Sequence, residues 1–382
     1  MTPRKILVSA GEASGDLYAA GLVERLRERW PEVEFFGCAG PRMRQAGVRA
    51  LVDASELAVV GLVEVVTHIP RIYGLYRRMW RAAQEERPQL AILTDSPDFH
   101  LRLARRLKRL GIPIVCLVAP QVWAWRRGRL PRLRRTVDRL LCIFPFEEEY
   151  FRRHGVKALY IGHPLSRLVR PLLTREEFFS RHGLEPGQPF VALLPGSRRG
   201  EARRHLPGLL DAVEPIRRSV PASFVLALPG GGFAGLEDFR ERIRRSSIQI
   251  VEGATWEALA HADLALAASG TVTIEAALLG TPMVTFYRVT GLSWWLGKFL
   301  VRVPYYSMVN LVAGRAVVPE LMQNEMCGER LAAEAVRLLT DGEARRRMRE
   351  ELRSVAATLG GPENPFQCAA RAVEELAGAE SA

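Results

Sequence analysis

The sequence has no hydrophobic run long enough to cross a membrane. Although 48% of the 382 residues are hydrophobic, no uncharged apolar stretch reaches the roughly 18 residues that a membrane-spanning helix needs. The amino terminus passes from Pro3-Arg4-Lys5 directly into a strand-like run. It shows no apolar segment or small-residue cleavage site of a signal peptide. We therefore expect neither a secretory leader nor a transmembrane helix.

Cysteine is scarce, and nothing in its spacing or that of histidine indicates a metal site. The five cysteines are an odd number without a CxxC pair, which predicts reduced thiols in a cytosolic protein rather than a disulfide framework. The seven histidines are dispersed and lack the short spacings of zinc ligands. We expect no metal and no cofactor.

Acidic residues are fewer than basic ones, 42 against 54, which gives a formal net charge of +12. A basic surface attracts the phosphate groups of nucleotides, nucleic acids or anionic lipids. A chain of 382 residues is too long for one ordinary core and suits two domains.

Apolar strand-like runs alternate with amphipathic segments along both halves of the chain. This alternation predicts parallel sheets with right-handed crossovers. The predicted strands are Ile6–Ala10, Glu34–Ala39, Leu90–Thr94, Ile114–Val118, Leu140–Phe144 and Leu159–Gly162, then Phe190–Leu194, Phe224–Leu228, Gln249–Val251, Leu264–Ala268 and Met283–Phe286. A polar connection near 163–185 separates the two series. We therefore predict an α/β protein of two doubly wound, Rossmann-like domains facing a central cleft: residues 1–168, residues 169–345, and closing helices in 346–382 that cross back to the first domain.

Two glycine-containing turns mark the expected cleft. Gly11–Asp16 follows the first predicted strand, and Ser269–Glu275 follows Leu264–Ala268. The carboxyl ends of strands in such sheets are where ligands bind.

The second domain carries groups suited to a nucleotide diphosphate. Its Pro195-Gly-Ser-Arg turn places Arg198, an always-charged planar donor, at a strand end. A helix start after Ser269 offers backbone N–H groups to an anion, and Glu275 can accept from ribose hydroxyls. The predicted nucleotide-binding residues are Gly196, Ser197, Arg198, Ser269, Gly270, Thr271 and Glu275.

The first domain suits an alcohol-bearing acceptor instead. Its Gly11–Asp16 turn lacks both the dinucleotide fingerprint and a P-loop lysine. Glu12 and Asp16 repel phosphate but suit sugar hydroxyls, and Ser14 lies between them.

Asp98 follows a proline where a helix begins after the strand Leu90–Thr94. The residues alone support two roles equally: a general base toward a hydroxyl, or a helix cap. Asp95, directly after the strand, is interpreted as structural.

Arginines and aromatic residues cluster in two further regions. Pro120–Trp125 precedes a run of arginines between Arg126 and Arg135, which suits a phosphorylated substrate or a lipid surface better than nucleic acid. Aromatic and aliphatic residues at helical spacing suit either the core or a membrane interface. The candidates for membrane contact are Ile69, Ile72, Tyr76, Trp80, Trp294 and Trp295.

The ordered set of motifs resembles the lipid-A-disaccharide synthase family. The matching strings are Gly-Glu-Ala-Ser-Gly-Asp at 11–16, Asp-Ser-Pro-Asp-Phe at 95–99, Pro-Gln-Val-Trp-Ala-Trp at 120–125, Gly-His-Pro-Leu at 162–165, Pro-Gly-Ser-Arg at 195–198, Ser269 to Glu275, Asn310 with Ala313-Gly314, and Pro319 to Gln323. The resemblance implies the glycosyltransferase B architecture, with the nucleotide sugar on the carboxy-terminal domain. It further implies that Asp98 is the catalytic base. We predict that Glu12 and Asp16 orient the acceptor's hydroxyls, or that Glu12 tunes Asp98, and that Ser14, Trp123 and Arg126 also face the acceptor. The resemblance adds His163, Asn310, Glu320 and Gln323 as further candidates.

The implied reaction is an inverting, metal-independent transfer of 2,3-diacylglucosamine from UDP to the 6-hydroxyl of 2,3-diacylglucosamine 1-phosphate, at the inner face of the inner membrane. It requires neither a cofactor nor a nucleic-acid partner. Two alternatives remain: a UDP-GlcNAc 2-epimerase or other UDP-sugar transferase of the same fold, and a non-catalytic protein that binds membranes or nucleic acid.

Overall fold

The chain forms two compact units. A computed structural model describes residues 3–57, 62–291, 294–295, 301 and 303–379. The first unit comprises Met1–Pro164 and Leu359–Ala382, and the second comprises Leu165–Thr358. The carboxy-terminal segment thus belongs to the unit in which the chain begins.

The first unit is built on a seven-stranded parallel sheet of order β3-β2-β1-β4-β5-β6-β7. Helices cover it, so strands such as Leu90–Thr94 are buried along their whole length and read as continuous apolar runs. The strands are β1 (Lys5–Ser9), β2 (Glu34–Ala39), β3 (Arg49–Asp53), β4 (Leu90–Thr94), β5 (Ile114–Leu117), β6 (Arg139–Cys142) and β7 (Ala158–Tyr160). Its helices are α1 (Ala13–Arg29), α2 (Pro41–Gln45), α3 (Leu62–Glu86), α4 (Pro97–Arg109), α5 (Leu130–Thr136) and α6 (Pro145–Arg153).

The second unit has a six-stranded parallel sheet of order β10-β9-β8-β11-β12-β13. The strands are β8 (Phe190–Leu194), β9 (Ser223–Leu228), β10 (Ile248–Glu252), β11 (Leu264–Ala268), β12 (Met283–Tyr287) and β13 (Glu320–Met322). The helices are α7 (Leu165–Leu168), α8 (Arg175–His182), α9 (Arg199–Ser219), α10 (Arg240–Arg245), α11 (Thr255–His261), α12 (Thr271–Leu279), α13 (Met308–Ala313), α14 (Gly328–Thr340) and α15 (Gly342–Leu359).

The last helix, α16 (Pro365–Ala379), packs on α1 within the first unit. A Cβ atom on Gly21 would lie 2.5 Å from the ring of Phe366, so the absence of a side chain permits the close approach of the two helices. Arg29 of α1 also pairs with Glu374.

Strand order reverses at one point in each sheet, between β1 and β4 and between β8 and β11. Loops that leave adjacent strands in opposite directions open a crevice at such a point, where doubly wound proteins bind ligands. The loops concerned begin at Ala10, Asp95, Pro195 and Ser269.

The predicted α/β, two-domain Rossmann-like fold is confirmed by these two sheets. Every strand predicted from an apolar run is present, four with the predicted bounds and the others with ends shifted by at most two residues. The prediction missed β3 and β13, because Arg49–Asp53 is half polar and Glu320–Met322 has only three residues.

The five cysteines are free, and burial raises the pKa of Cys38 and Cys116 to about 12.

None of the helices within the described ranges is long and apolar enough to cross a membrane.

Candidate functional site

A carboxylate from the turn after β4 holds the turn after β1. Asp95 Oδ1 accepts from the Gly11 N–H at 2.8 Å, and Oδ2 accepts from the Glu12 N–H at 3.0 Å. Burial raises the pKa of Asp95 to about 7, although these backbone bonds oppose it. A Cβ on Gly15 would lie 1.7 Å from Asp95 Oδ2, which leaves no room for a side chain. Asp95 therefore positions the turn.

The structure gives Asp16 a different role from the expected contact with sugar hydroxyls. Its buried carboxylate accepts from the backbone N–H groups of Gly40, Arg42 and Met43 at 2.8, 2.9 and 3.2 Å. Asp16 thus caps α2, and its oxygens point into the protein. Glu12 is exposed and Ser14 is half-buried on the same turn.

Asp98 lies in the first turn of α4 with both carboxylate oxygens paired to arginines. Arg126 Nη1 is 2.7 Å from Oδ2, and Arg129 Nη2 is 2.6 Å from Oδ1. Desolvation alone would raise the pKa of Asp98, but the two guanidinium groups outweigh it and lower that pKa. Within the described ranges its hydrogen bonds go to these arginines and not to the backbone of α4. Asp98 is therefore held by ion pairs and does not cap the helix.

Trp125, which the sequence analysis did not single out, lies against this ion pair. The guanidinium carbons of Arg126 and Arg129 are 4.4 and 5.4 Å from the centre of its ring. Trp123, by contrast, is buried and donates from Nε1 to Glu147 Oε1 at 3.0 Å. The expected acceptor contact of Trp123 is therefore not supported, and Trp125 and Arg129 join the candidate set. The arginine run after the aromatic motif was the available signal for Arg129.

Strained backbone is concentrated in the loops after β4 and β5. Four non-glycine residues there are left-handed: Asp95 (φ 53°), Ser96 (φ 35°), Val118 (φ 70°) and Arg126 (φ 55°). Such conformations cost on the order of 1–3 kcal/mol each and cluster at functional sites.

In the second unit, the turn after β8 presents Arg198 at the beginning of α9. Gly196 has a φ of 111°, a conformation that favours glycine. Arg198 Nη1 lies 3.3 Å from Glu201 Oε1. Ser197 and Arg198 are exposed, so both remain accessible to a ligand.

The turn after β11 presents backbone N–H groups at the start of α12. Ser269 Oγ donates to the Tyr306 carbonyl at 2.9 Å, and Gly270 is extended with nothing within 4 Å of a Cβ position. Thr271 is exposed. Burial raises the pKa of the half-buried Glu275, against a hydrogen bond from Trp256.

Asn310, Glu320 and Gln323 organise the neighbouring loops. Buried Asn310 donates to Glu320 Oε1 at 2.8 Å and accepts from the Val318 N–H at 2.9 Å. Glu320 Oε2 accepts from the Tyr306 N–H at 2.9 Å. Gln323 Oε1 accepts from the backbone of Val289 at 2.7 Å. Asn310 and Glu320 thus hold the segment that accepts the Ser269 hydroxyl, and Gln323 holds the residue two positions after β12.

His163 is buried among aromatic rings of the first unit. Its ring centre lies 5.9 Å from that of Tyr18 and 5.3 Å from that of Phe144. Burial lowers its pKa to about 3, so the ring is neutral. This buried position argues for a packing role rather than ligand contact.

The candidate membrane residues divide into covered and exposed side chains. Tyr76 packs edge-on against Phe99 at 6.0 Å, and Arg106 lies over both Tyr76 and Trp80. Both rings are half-buried, and their coverage by α4 weakens their assignment to lipid. Ile72 is also half-buried. Tyr73 and Trp295 are instead 59% and 60% exposed. Trp294 is half-buried, and the side chain of Ile69 lies outside the described residues.

In the chain as far as it is described, no group of three or more His, Cys, Asp or Glu side chains is arranged to hold a metal ion.

Solved structures with this fold include sugar-nucleotide enzymes. UDP-GlcNAc 2-epimerase from Neisseria meningitidis bound to UDP-GlcNAc is similar over 97% of this chain and 99% of that one, with a TM-score of 0.66 and 13% identity. The calicheamicin glycosyltransferase CalG4 covers 100% of both chains, with a TM-score of 0.62 and 16% identity. Likeness at such identity shows the fold alone, and the fold is that of the two-domain, Rossmann-like glycosyltransferases.

Residues 6–371 match the lipid-A-disaccharide synthetase family. The chain is 63% identical over 372 residues to the lipid-A-disaccharide synthase of Solibacter usitatus (strain Ellin6076), covering 97% of each chain. It is 44% identical over 376 residues to that of Anaeromyxobacter dehalogenans (strain 2CP-C), covering 98% of this chain and 97% of that one. The chain therefore belongs to the lipid-A-disaccharide synthetase family, as its motifs predicted, and is a glycosyltransferase. The epimerase alternative has only a distant likeness of fold.

Proposed function

We propose that the protein transfers 2,3-diacylglucosamine from UDP to the 6-hydroxyl of 2,3-diacylglucosamine 1-phosphate. The products are a β-1,6-linked tetraacyl disaccharide 1-phosphate and UDP. The observation that carries this proposal is the 63% identity to a lipid-A-disaccharide synthase over 97% of both chains.

Asp98 acts as the general base. The acceptor's 6-oxygen attacks the anomeric carbon of the donor while its proton passes to the Asp98 carboxylate. The bond between that carbon and the diphosphate oxygen breaks, and UDP leaves with the electron pair. One displacement inverts the configuration, so no covalent intermediate is needed. Glu12, exposed on the turn after β1, orients the acceptor's hydroxyls with Ser14.

The second unit binds the nucleotide. Arg198 and the N–H groups at the start of α12 neutralise the leaving diphosphate, with Gly196 and Ser197 shaping the turn. Glu275 binds the ribose hydroxyls. Because these groups supply the positive potential, the reaction requires no metal.

The acylated substrates place the enzyme at the cytoplasmic face of a membrane. Tyr73 of α3 and Trp295, both more than half exposed, provide apolar surface, and α3 also carries the exposed arginines Arg71, Arg77 and Arg78. Such a surface suits an anionic headgroup layer.

The test is to incubate the purified protein with both substrates and to measure UDP release together with the mass of the product. A disaccharide 1-phosphate formed only when both substrates are present supports the proposal. Conversion of UDP-GlcNAc without any acceptor indicates an epimerase instead. Salt-sensitive DNA binding without affinity for UDP indicates a non-catalytic role.

A further inference from the structure

The pairing of Asp98 opposes the role proposed for it. Arg126 lies 2.7 Å from one carboxylate oxygen, and Arg129 lies 2.6 Å from the other. A base must offer a lone pair to the hydroxyl that it deprotonates, and nearby positive charge stabilises the carboxylate without its proton. Loss of an arginine partner would therefore raise the proton affinity of Asp98 and make it a stronger base.

The two arginines differ in freedom. The Arg126 side chain is 42% exposed and the Asp98 side chain 64%, whereas that of Arg129 is only 11% exposed. Arg126 also has a left-handed backbone and stacks on Trp125 at 4.4 Å. The difference in exposure makes Arg126 the guanidinium with the greater freedom to move toward a ligand.

The cluster carries one positive charge in excess, because two arginines surround one carboxylate. A phosphate monoester carries about −1.5 to −2 charges and three strong acceptor oxygens. It attracts paired guanidinium groups more strongly than a carboxylate of single charge, and it can bind each of them through two parallel hydrogen bonds.

We propose that Arg126 and Arg129 bind the phosphate of the acceptor, and that this exchange of partners releases Asp98 to take the proton of the 6-hydroxyl. The inference rests on the proposed function and adds a recognition site to it. The phosphate then contributes to the affinity for the acceptor and also separates Asp98 from its arginine partner. An acceptor without the phosphate loses turnover as well as affinity, since Asp98 stays paired.

The experiment compares acceptors with and without the 1-phosphate on wild type, Arg126→Ala and Arg126→Lys. Wild type should prefer the phosphorylated acceptor at least tenfold in kcat/KM. Arg126→Ala should reduce kcat/KM at least tenfold for that acceptor, whereas for the other it should raise kcat/KM, because the substitution removes one partner of Asp98; the preference therefore collapses. Arg126→Lys should retain part of the preference. The exposed Arg105 of α4 provides the control: Arg105→Ala removes equal charge and should leave the preference unchanged.

Thermal unfolding of each variant establishes that it is folded, and Arg126 is chosen over the less exposed Arg129 for that reason. An equal loss on both acceptors would mean that Arg126 only positions Asp98, and would overturn the inference. The inference would also be overturned if Arg126→Ala bound phosphatidylglycerol vesicles more weakly and kept the preference for the phosphorylated acceptor, since the arginines would then bind a lipid headgroup. A wild type that forms no disaccharide from either acceptor refutes the proposed function itself.

Discussion

The Tyr287 hydroxyl donates a hydrogen bond to Glu201 Oε1 across 2.9 Å. The same carboxylate oxygen lies 3.3 Å from Arg198 Nη1. Tyr287 ends β12 and Glu201 lies in the first turn of α9, so side chains from two elements fix the arginine at the carboxyl end of the sheet.

Arg198→Ala should weaken UDP binding at least tenfold. A hydrogen bond to a charged group contributes about 1.5–3 kcal/mol, and about 1.4 kcal/mol corresponds to a tenfold change in Kd. Calorimetric titration with UDP measures the effect. Arg218→Ala, at the exposed far end of the same helix, removes an equal charge and should leave the affinity unchanged. Equal affinities for all three proteins would show that Arg198 takes no part in nucleotide binding.

Gly270→Ala should weaken UDP binding without destabilising the protein. Gly270 is extended, and nothing lies within 4 Å of its Cβ position, so the fold does not require glycine there. A methyl group would obstruct a diphosphate that approaches this backbone closely. Thermal unfolding with and without UDP separates the two effects. An undiminished stabilisation by UDP would remove Gly270 from the site.

Asp98→Asn should reduce turnover by about a hundredfold or more, the usual contribution of a general base. The amide keeps the shape of the carboxylate but cannot take the proton. UDP affinity should be retained, because the nucleotide is assigned to the other unit. Single-turnover rates and UDP titrations test both points, and near-normal turnover would leave Asp98 with a structural role.

His100 should make stability depend on pH in a defined direction. Its buried ring contacts Ser9 Oγ through Nε2 at 2.7 Å and the Asp95 carbonyl through Nδ1 at 2.9 Å. Burial lowers its pKa to about 4, below the unfolded value of about 6.5. The free energy of unfolding that neutral His100 contributes is therefore fully present above pH 6.5 and is lost as the pH falls toward 4.

The measurement is the free energy of unfolding of wild type and His100→Asn at pH 7 and pH 5. The difference between the two proteins should shrink by about 2 kcal/mol at the lower pH. The informative quantity is this difference between the two proteins. Burial also raises the pKa of Asp95 and Glu147 to about 7, which increases the stability of wild type as the pH falls and so opposes the effect of His100. His154→Asn, at the exposed end of α6, controls for the loss of an imidazole. A difference that does not change with pH would contradict a neutral His100.

The sequence alone determined the fold class and the family. Buried parallel strands appear in a sequence as continuous apolar runs. Motifs such as Gly11–Asp16 and Ser269–Glu275 are likewise contiguous in the sequence, so they can be recognised without a structure. The same information made Arg198 a candidate, because it lies in the turn after a strand that an apolar pattern predicts, and it made Asp98 the predicted base, rather than a helix cap, only through the resemblance to the family.

Only the tertiary structure decided which side chains in those motifs reach solvent. Asp16 and Trp123 carry the right chemistry in the right motifs, yet Asp16 caps α2 and Trp123 donates to Glu147. The partners of Asp98 lie 28 and 31 positions further along the chain, a separation that no local periodicity encodes. Motif position follows from chain order, whereas burial and ion pairing depend on contacts between residues that are distant in sequence.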